Sequence, residues 1–260
     1  MGVSNDNLRP IRDLRVAVLF LTRVPVGRII GLETESLARA AWAFPLAGSI
    51  VGGISGGVLY AVAGTEISPL GCALVALAVQ VFVTGALHED GIADVADGLG
   101  AHVRERTLEI MRDSRIGAYG VLALIFSVGL RAAMISGIPG PGFAFAAILA
   151  AAMVSRGVLP LVMHMMPPAR MDGLSKNAGQ PDLGRAALAL AIGLAGLFTL
   201  LPLSVAFSAI VIAAVLGGAV LWWAHVRLGG QTGDVLGALQ QVTEIAVYVA
   251  AAAGSSVFYV

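Results

Sequence analysis

The segment TGALHEDGIADVADGLGAH, residues 84–102, holds the densest chemistry in the chain: Asp90, Asp94 and Asp97 stand at i, i+4 and i+7, with Glu89 beside the first. On a helix that spacing puts three carboxylates on one face. At an effective dielectric near 20 and a separation of about 5 Å, each like-charged pair costs roughly 3 kcal/mol, so the ionised trio invites a cation. The donors are hard oxygens with no cysteine pair and no second nearby histidine, which favours Mg²⁺ or Mn²⁺ over Zn²⁺. Glu89, Asp90, Asp94 and Asp97 are therefore the expected metal ligands, and Gly91 and Gly98 allow close approach of backbone and ligand. The plainer reading is a polar loop whose carboxylates are separately solvated. His88 either binds substrate or caps the site by hydrogen bonding.

The following run, RERTLEIMRDSRIGAYG, divides in two. Arg104, Glu105, Arg106 and Glu109 have the spacing of a solvated helical face. Arg112, Asp113, Ser114 and Arg115 put two guanidinium groups around an acid and a hydroxyl, a set suited to phosphate oxygens; anchoring to a membrane surface is the alternative use. Other polar groups sit at the ends of apolar stretches: Thr22 and Arg23 in FLTRVP, Arg156 in SRGVLP, Thr232 and Asp234 in GGQTGDVLGA. Asp234 completes a second metal position or orients a nucleophile if the last apolar stretch packs beside the second. Carboxylate-held divalent metal beside arginines can bridge a diphosphate, neutralise its leaving half and align an alcohol for in-line attack, so phosphoryl-group transfer is the leading chemistry. No GxxxxGK[ST] run is present, which disfavours simple ATP hydrolysis.

The elements that must position these groups are membrane helices. With 58% hydrophobic and 12% charged residues and a mean hydropathy of +0.89, the chain carries more apolar surface than a water-soluble fold can hide. The expected fold is all-α, a polytopic integral membrane bundle forming one domain over residues 1–260. Seven stretches have the length to cross about 30 Å of hydrocarbon: Trp42–Ala63, Pro69–Leu87, Tyr119–Gly137, Phe143–Met163, Ala186–Leu201, Leu203–Ala224 and Val235–Ser255. Val16 to Val24 is too short and is broken by Arg23, so it reads as an N-terminal interfacial or re-entrant segment rather than a signal peptide.

A cytoplasmic amino terminus places residues 1–41, 88–118, 164–185 and 225–234 on that side, with fourteen of the sixteen Lys and Arg. The exceptions, Arg131 and Arg156, together with Glu244, must face protein or a wet cavity, as structural ion pairs or as substrate contacts. Pro, Gly and Asn residues between Pro167 and Pro181 mark an irregular loop. Glycines at 48, 52, 53, 56 and 57 suit close helix packing within the chain, or else a contact in a homo-oligomer. Cys72 is the only cysteine, which excludes an intrachain disulfide, and the net charge of +0 argues against nucleic acid as a partner.

Six segments together resemble one family: FLTRVPV at 20–26, FPLAGSIVG at 44–52, LHEDGIADVADG at 87–98, EIMRDSRIGAYGVLAL at 109–124, SRGVLP at 155–160 and TGDVLGA at 232–238 are similar to the adenosylcobinamide-GDP ribazoletransferases, also called cobalamin synthases. The acidic run with RDSRIG carries the specificity. The resemblance implies a Mg²⁺-dependent enzyme of a prokaryotic plasma (inner) membrane, its active site facing the cytoplasm. Such an enzyme joins adenosylcobinamide-GDP to α-ribazole or its 5′-phosphate and releases GMP. It implies metal binding by Asp90, Asp94 and Asp97, with Glu89 a ligand or base. Arg112 and Arg115 would contact the diphosphate, and Asp234 would act as second-layer residue or general base. A CDP-alcohol phosphotransferase is the nearby alternative, but Asp94 follows Ala93 where that pattern requires Arg, and its later GxxxDxxxD portion is absent. An ion-coupled transporter would hold its charges near the bilayer midplane, whereas here most cluster at one end of the spans.

Overall fold

The structure, a computed structural model, describes residues 9–27, 35–170 and 178–255. Among them there is no strand, only an isolated parallel bridge between Pro168 and Gln231. A short helix α1 (Pro10–Leu21) is followed by α2 (Glu35–Ala40), which runs through a 3₁₀ turn into α3 (Phe44–Val62). Next come α4 (Pro69–Thr84), α5 (Leu87–Gly98), α6 (Arg104–Ile110), α7 (Ala118–Ser136) and α8 (Pro141–Gly157). The chain continues through α9 (Leu159–Met165), α10 (Leu183–Leu200), α11 (Leu203–Leu228) and α12 (Gly233–Ser255). Six helical segments are long and apolar enough to cross a membrane, and α4 with α5 makes a seventh if the bent pair counts as one. The irregular loop expected after Pro167 lies outside the described residues over 171–177.

Two spans differ from a straight reading of the hydropathy. The second breaks: α4 ends at Gly85 (φ 65°) and Ala86 (φ 59°), two consecutive left-handed residues, and α5 leaves at 92°. Left-handed geometry is free for glycine and strained for alanine, so the bend is held from outside. Arg23 holds it. Its amide donates to the Val83 carbonyl at 2.6 Å, and its side chain lies over Gly85 so closely that any Cβ there would collide with the guanidinium. The fourth span passes from α8 into α9 around Val158, where Pro160 stands in the first turn of the new helix.

Helix α1 has 12 residues, about 18 Å of helix, too short to cross. It docks into the bundle instead. Val16, Ala17, Val18 and Leu21 are buried, and the buried Asp13 carboxylate accepts a 2.9 Å bond from Trp42 Nε1 in the 3₁₀ turn. Helix α12 is the central pillar, 78% of its apolar window being buried against 22% for α11, whose Phe207, Val211, Val215 and Trp222 face outward as on a lipid-facing helix. Three glycines of the α3 run pack within the chain: a Cβ on Gly48 would fall on the Ala152 carbonyl of α8, one on Gly52 within 2.8 Å of Leu149 Cα, and one on Gly56 at 3.0 Å from the Phe145 ring, whereas one on Gly53 or Gly57 would meet nothing within 4 Å among the described residues.

Candidate active site

The acidic helix α5 lies against the start of α12. Gly91 and Gly237 make this contact: a Cβ on Gly91 would stand 2.8 Å from the Asp234 carbonyl oxygen, and one on Gly237 would stand 3.2 Å from Gly91 Cα. Backbones that close bring Asp234 to the carboxylate face of α5, and Asp90, Asp97 and Asp234 all act electrostatically on Asp94. The sequence-based condition on Asp234 is therefore met, with α5 rather than α4 as the partner helix. Among the described residues no three His, Cys, Asp or Glu side chains stand as a ready metal cage. The donor set is nevertheless all hard carboxylate oxygen, with Arg170 the guanidinium that offsets it at Asp94, and that chemistry fits Mg²⁺ or Mn²⁺.

Arg170 reaches this cluster through a loop clasp. Ala169 N donates to Gln231 O at 2.8 Å and Gln231 N to Pro167 O at 2.9 Å, while Gly230 leaves room for the Pro167 carbonyl. The clasp sets Arg170 Nη2 at 2.6 Å from Asp234 Oδ2. Thr232 donates its hydroxyl to the same carboxylate at 3.2 Å and accepts from Val235 N at 3.2 Å, opening α12. Arg104 ties α6 to this end, donating to Leu228 O at 2.8 Å and Ala169 O at 2.7 Å. It is thus a brace as well as part of the solvated face expected of α6, on which Arg106 and Glu109 pair at 2.7 Å.

A cavity of about 260 Å³ opens here, lined by His88 and Asp90 of α5, Arg170, Thr232, and Asp234 of α12. Its remaining wall includes Phe20, Leu21, Phe44, Leu159 and Met163. Arg170 also lines a more open groove of about 450 Å³ together with Arg104 and Arg112.

The other expected site residues are distributed as follows. Asp97 accepts from Gly117 N at 2.7 Å and Gly120 N at 2.8 Å, capping α7, and both glycines lack the Cβ that would strike its carboxylate. Asp113 and Arg115 form an exposed pair at 2.7 Å, and hydrogen bonds from the Arg115 side chain and amide hold the Asp113 carboxyl down to about 2. Ser114 is exposed on the same loop. Thr22 is buried, its hydroxyl donating to Val18 O at 2.7 Å and accepting from Val24 N at 3.1 Å, which shapes the turn out of α1 that carries Arg23.

Glu89 and Arg156 belong to a buried polar network and do not line the cavity. Arg131 spans Glu89 Oε1 at 3.1 Å and Glu244 Oε2 at 3.3 Å, while Arg156 donates to Glu244 Oε1 at 3.2 Å. Gln80, Gln240 and Gln241 add further bonds, Gln80 reaching both Glu244 oxygens at 2.9 and 2.7 Å and Gln241 the Glu89 Oε1, while Glu89 Oε2 is buried without a partner among the described residues. Two cations and two anions balance, as burial in hydrocarbon demands. Structural pairing is thus the observed state of Arg131, Arg156 and Glu244.

The chain matches the family described as Cobalamin-5-phosphate synthase over residues 13–252. The chain belongs to that family. Among curated relatives, the adenosylcobinamide-GDP ribazoletransferase of Bradyrhizobium diazoefficiens is 44% identical over 94% of this chain and 94% of its own. That of Mesorhizobium japonicum is 42% identical over 98% and 100%, and that of Rhizobium etli strain CIAT 652 is 43% identical over 92% and 96%. No solved structure matches the chain. Membership of the cobalamin-5-phosphate synthase family makes this an enzyme, a transferase of cobalamin synthesis, built in an all-helical membrane-type bundle.

Sequence reasoning did not single out Arg170, Phe20 or Phe44. The signals for Arg170 were the Pro167–Pro168 pair beside it and the Gly229–Gly230 pair that could receive a clasped loop.

Proposed function

We propose that this cobalamin synthase transfers adenosylcobinamide phosphate from adenosylcobinamide-GDP to α-ribazole or α-ribazole 5′-phosphate at the cavity between α5 and α12. The observation that carries the reading is the convergence of Asp90, Asp234 and Arg170 on one cavity wall. A ribose hydroxyl of ribazole attacks the phosphorus bonded to cobinamide. A new P–O bond forms to the ribose, the P–O bond to the GMP phosphate breaks, and the hydroxyl proton passes to a carboxylate of the cluster, the base assigned in this reading being Asp234.

Asp90, Asp94 and Asp97, with Asp234 beside them, would hold Mg²⁺ or Mn²⁺, which when bound supplies charge neutralisation at the diphosphate. Arg112 and Arg170 share a groove and bind the diphosphate, with Arg115 on the adjoining loop as a further guanidinium. His88 and Thr232 line the cavity and orient the substrates. Glu89 and Arg156 act from beneath, fixing the angle of α5 through Arg131 and Glu244. The concentration of Lys and Arg in the loops at this end supports a reading in which it faces the cytoplasm of a bacterium, with the spans in the inner membrane.

The test is GMP release by purified protein reconstituted in liposomes. Release is expected only when cobinamide-GDP, ribazole and a divalent metal are all present. No metal-dependent product, or substrate flux across the membrane without group transfer, would overturn the reading.

A further inference from the structure

The non-polar part of the cavity has no task in the phosphoryl chemistry, yet it is the more elaborately built. Phe20 and Leu21 come from α1, Phe44 from the start of α3, and Leu159 and Met163 from α9, three elements distant in sequence. All five belong to one apolar cluster. Phe20 and Phe44 lie nearly parallel, their rings 6.1 Å apart at 21°. Phe44 is 1% exposed and Phe20 is half-buried. The Asp13–Trp42 bond fastens α1 in the place that brings Phe20 to this wall.

Resting on the reaction proposed above, we infer that this wall is the seat of the aromatic base of ribazole, and that Phe20, Phe44 and Met163 set the choice of base. Two bicyclic bases enter the reaction, the dimethylbenzimidazole of ribazole and the guanine of cobinamide-GDP. Guanine carries donors and acceptors around its edge, and burying them against Phe20, Leu21, Phe44, Leu159 and Met163 leaves them unpaired. Dimethylbenzimidazole presents two methyl groups and a flat apolar ring, which such a wall accepts by stacking and burial. The size agrees. About 260 Å³ lies just under the roughly 300–1,000 Å³ of pockets for drug-sized ligands, room for a base with its sugar and not for a corrin macrocycle. A base seated there projects its ribose toward Asp90 and Asp234, which line the same cavity. Guanine is left to the open groove beside Arg112 and Arg170.

Binding of each substrate to the detergent-solubilised protein tests this, ribazole by its intrinsic fluorescence and cobinamide-GDP by calorimetry. Phe20→Ala is expected to weaken α-ribazole binding about tenfold or more while cobinamide-GDP binding stays within about twofold. Met163→Gln, which keeps the side-chain length and adds an amide to the wall, is expected to show the same split and serves if Phe20→Ala does not fold. Equal weakening of both substrates, weakening of cobinamide-GDP alone, or no change in either would overturn the assignment. Because binding is read without turnover, a protein that shows the split but releases no GMP would refute the reaction and keep the subsite. One that releases GMP without the split would do the reverse.

Discussion

Arg170 and Asp234 meet at 2.6 Å although 64 positions separate them, joined by the clasp between Pro168 and Gln231. Their side chains are 13% and 24% exposed, so the pair borders the cavity without being open to bulk water. A guanidinium held there holds Asp234 in place and offers its remaining N–H groups to a phosphate.

Arg170→Ala is therefore expected to lower kcat/KM for GMP release by about 10- to 100-fold, the worth of one or two charge-assisted hydrogen bonds. Arg170→Lys should recover part of this, since it restores charge but not the planar fork. Wild-type kinetics for the alanine variant would remove Arg170 from the site.

Asp94 sits amid Asp90, Asp97 and Asp234. Asp94→Asn is expected to cut turnover at least about 100-fold while membrane insertion and elution from a sizing column stay normal. Near-normal turnover would exclude Asp94 as a metal ligand.

Metal removal gives an independent check. Excess EDTA should abolish GMP release, and Mg²⁺ or Mn²⁺ should restore it, whereas Zn²⁺ should not, given a donor set of carboxylates alone. Full activity in EDTA would contradict the metal assignment.

Gly120→Ala would drive a methyl group into the Asp97 carboxylate and Ile116. The expected cost is about 1–3 kcal/mol, read as a lowered unfolding temperature in detergent. Gly53→Ala, with nothing within 4 Å of the new Cβ, is the matched control and should not lower it.

Glu244→Ala would leave Arg131 and Arg156, each 0% exposed, without their shared anion. Breaking such a buried pair costs about 3–5 kcal/mol, so poor accumulation or a clearly lower unfolding temperature is expected. An unchanged temperature would show that Glu89 and the glutamines sustain the network without it.

The helical membrane character and the run of carboxylates along α5 were readable because both rest on local pattern: twenty-residue apolar stretches in one case, carboxylates four and three apart in the other. The break at Gly85–Ala86 was not, because an alanine in left-handed geometry is imposed by Arg23 from elsewhere in the chain. Glu89 shares its sequence neighbourhood with Asp90, but one residue turns a helical side chain by about 100°, enough to send it inward to Arg131. Asp97 fits the carboxylate face and also caps α7, a role foreshadowed by Gly117 and Gly120 spaced to bare the first amides of that helix. Arg170 was missed because its partner is fixed by a loop-to-loop clasp with no local periodicity, signalled only by the Pro167–Pro168 and Gly229–Gly230 pairs.

The seating of Gly237 against Gly91 also orders events at the ribosome. Asp90, Asp94 and Asp97 are synthesised well before the helix bearing Asp234 and Gly237. Until it inserts, the acidic helix has no wall to lean on and Glu89 and Arg131 have no Glu244 or Gln241 beside them. A chain in which α12 has not yet been made thus lacks one wall of the cavity, and that wall arrives with the helix bearing Asp234.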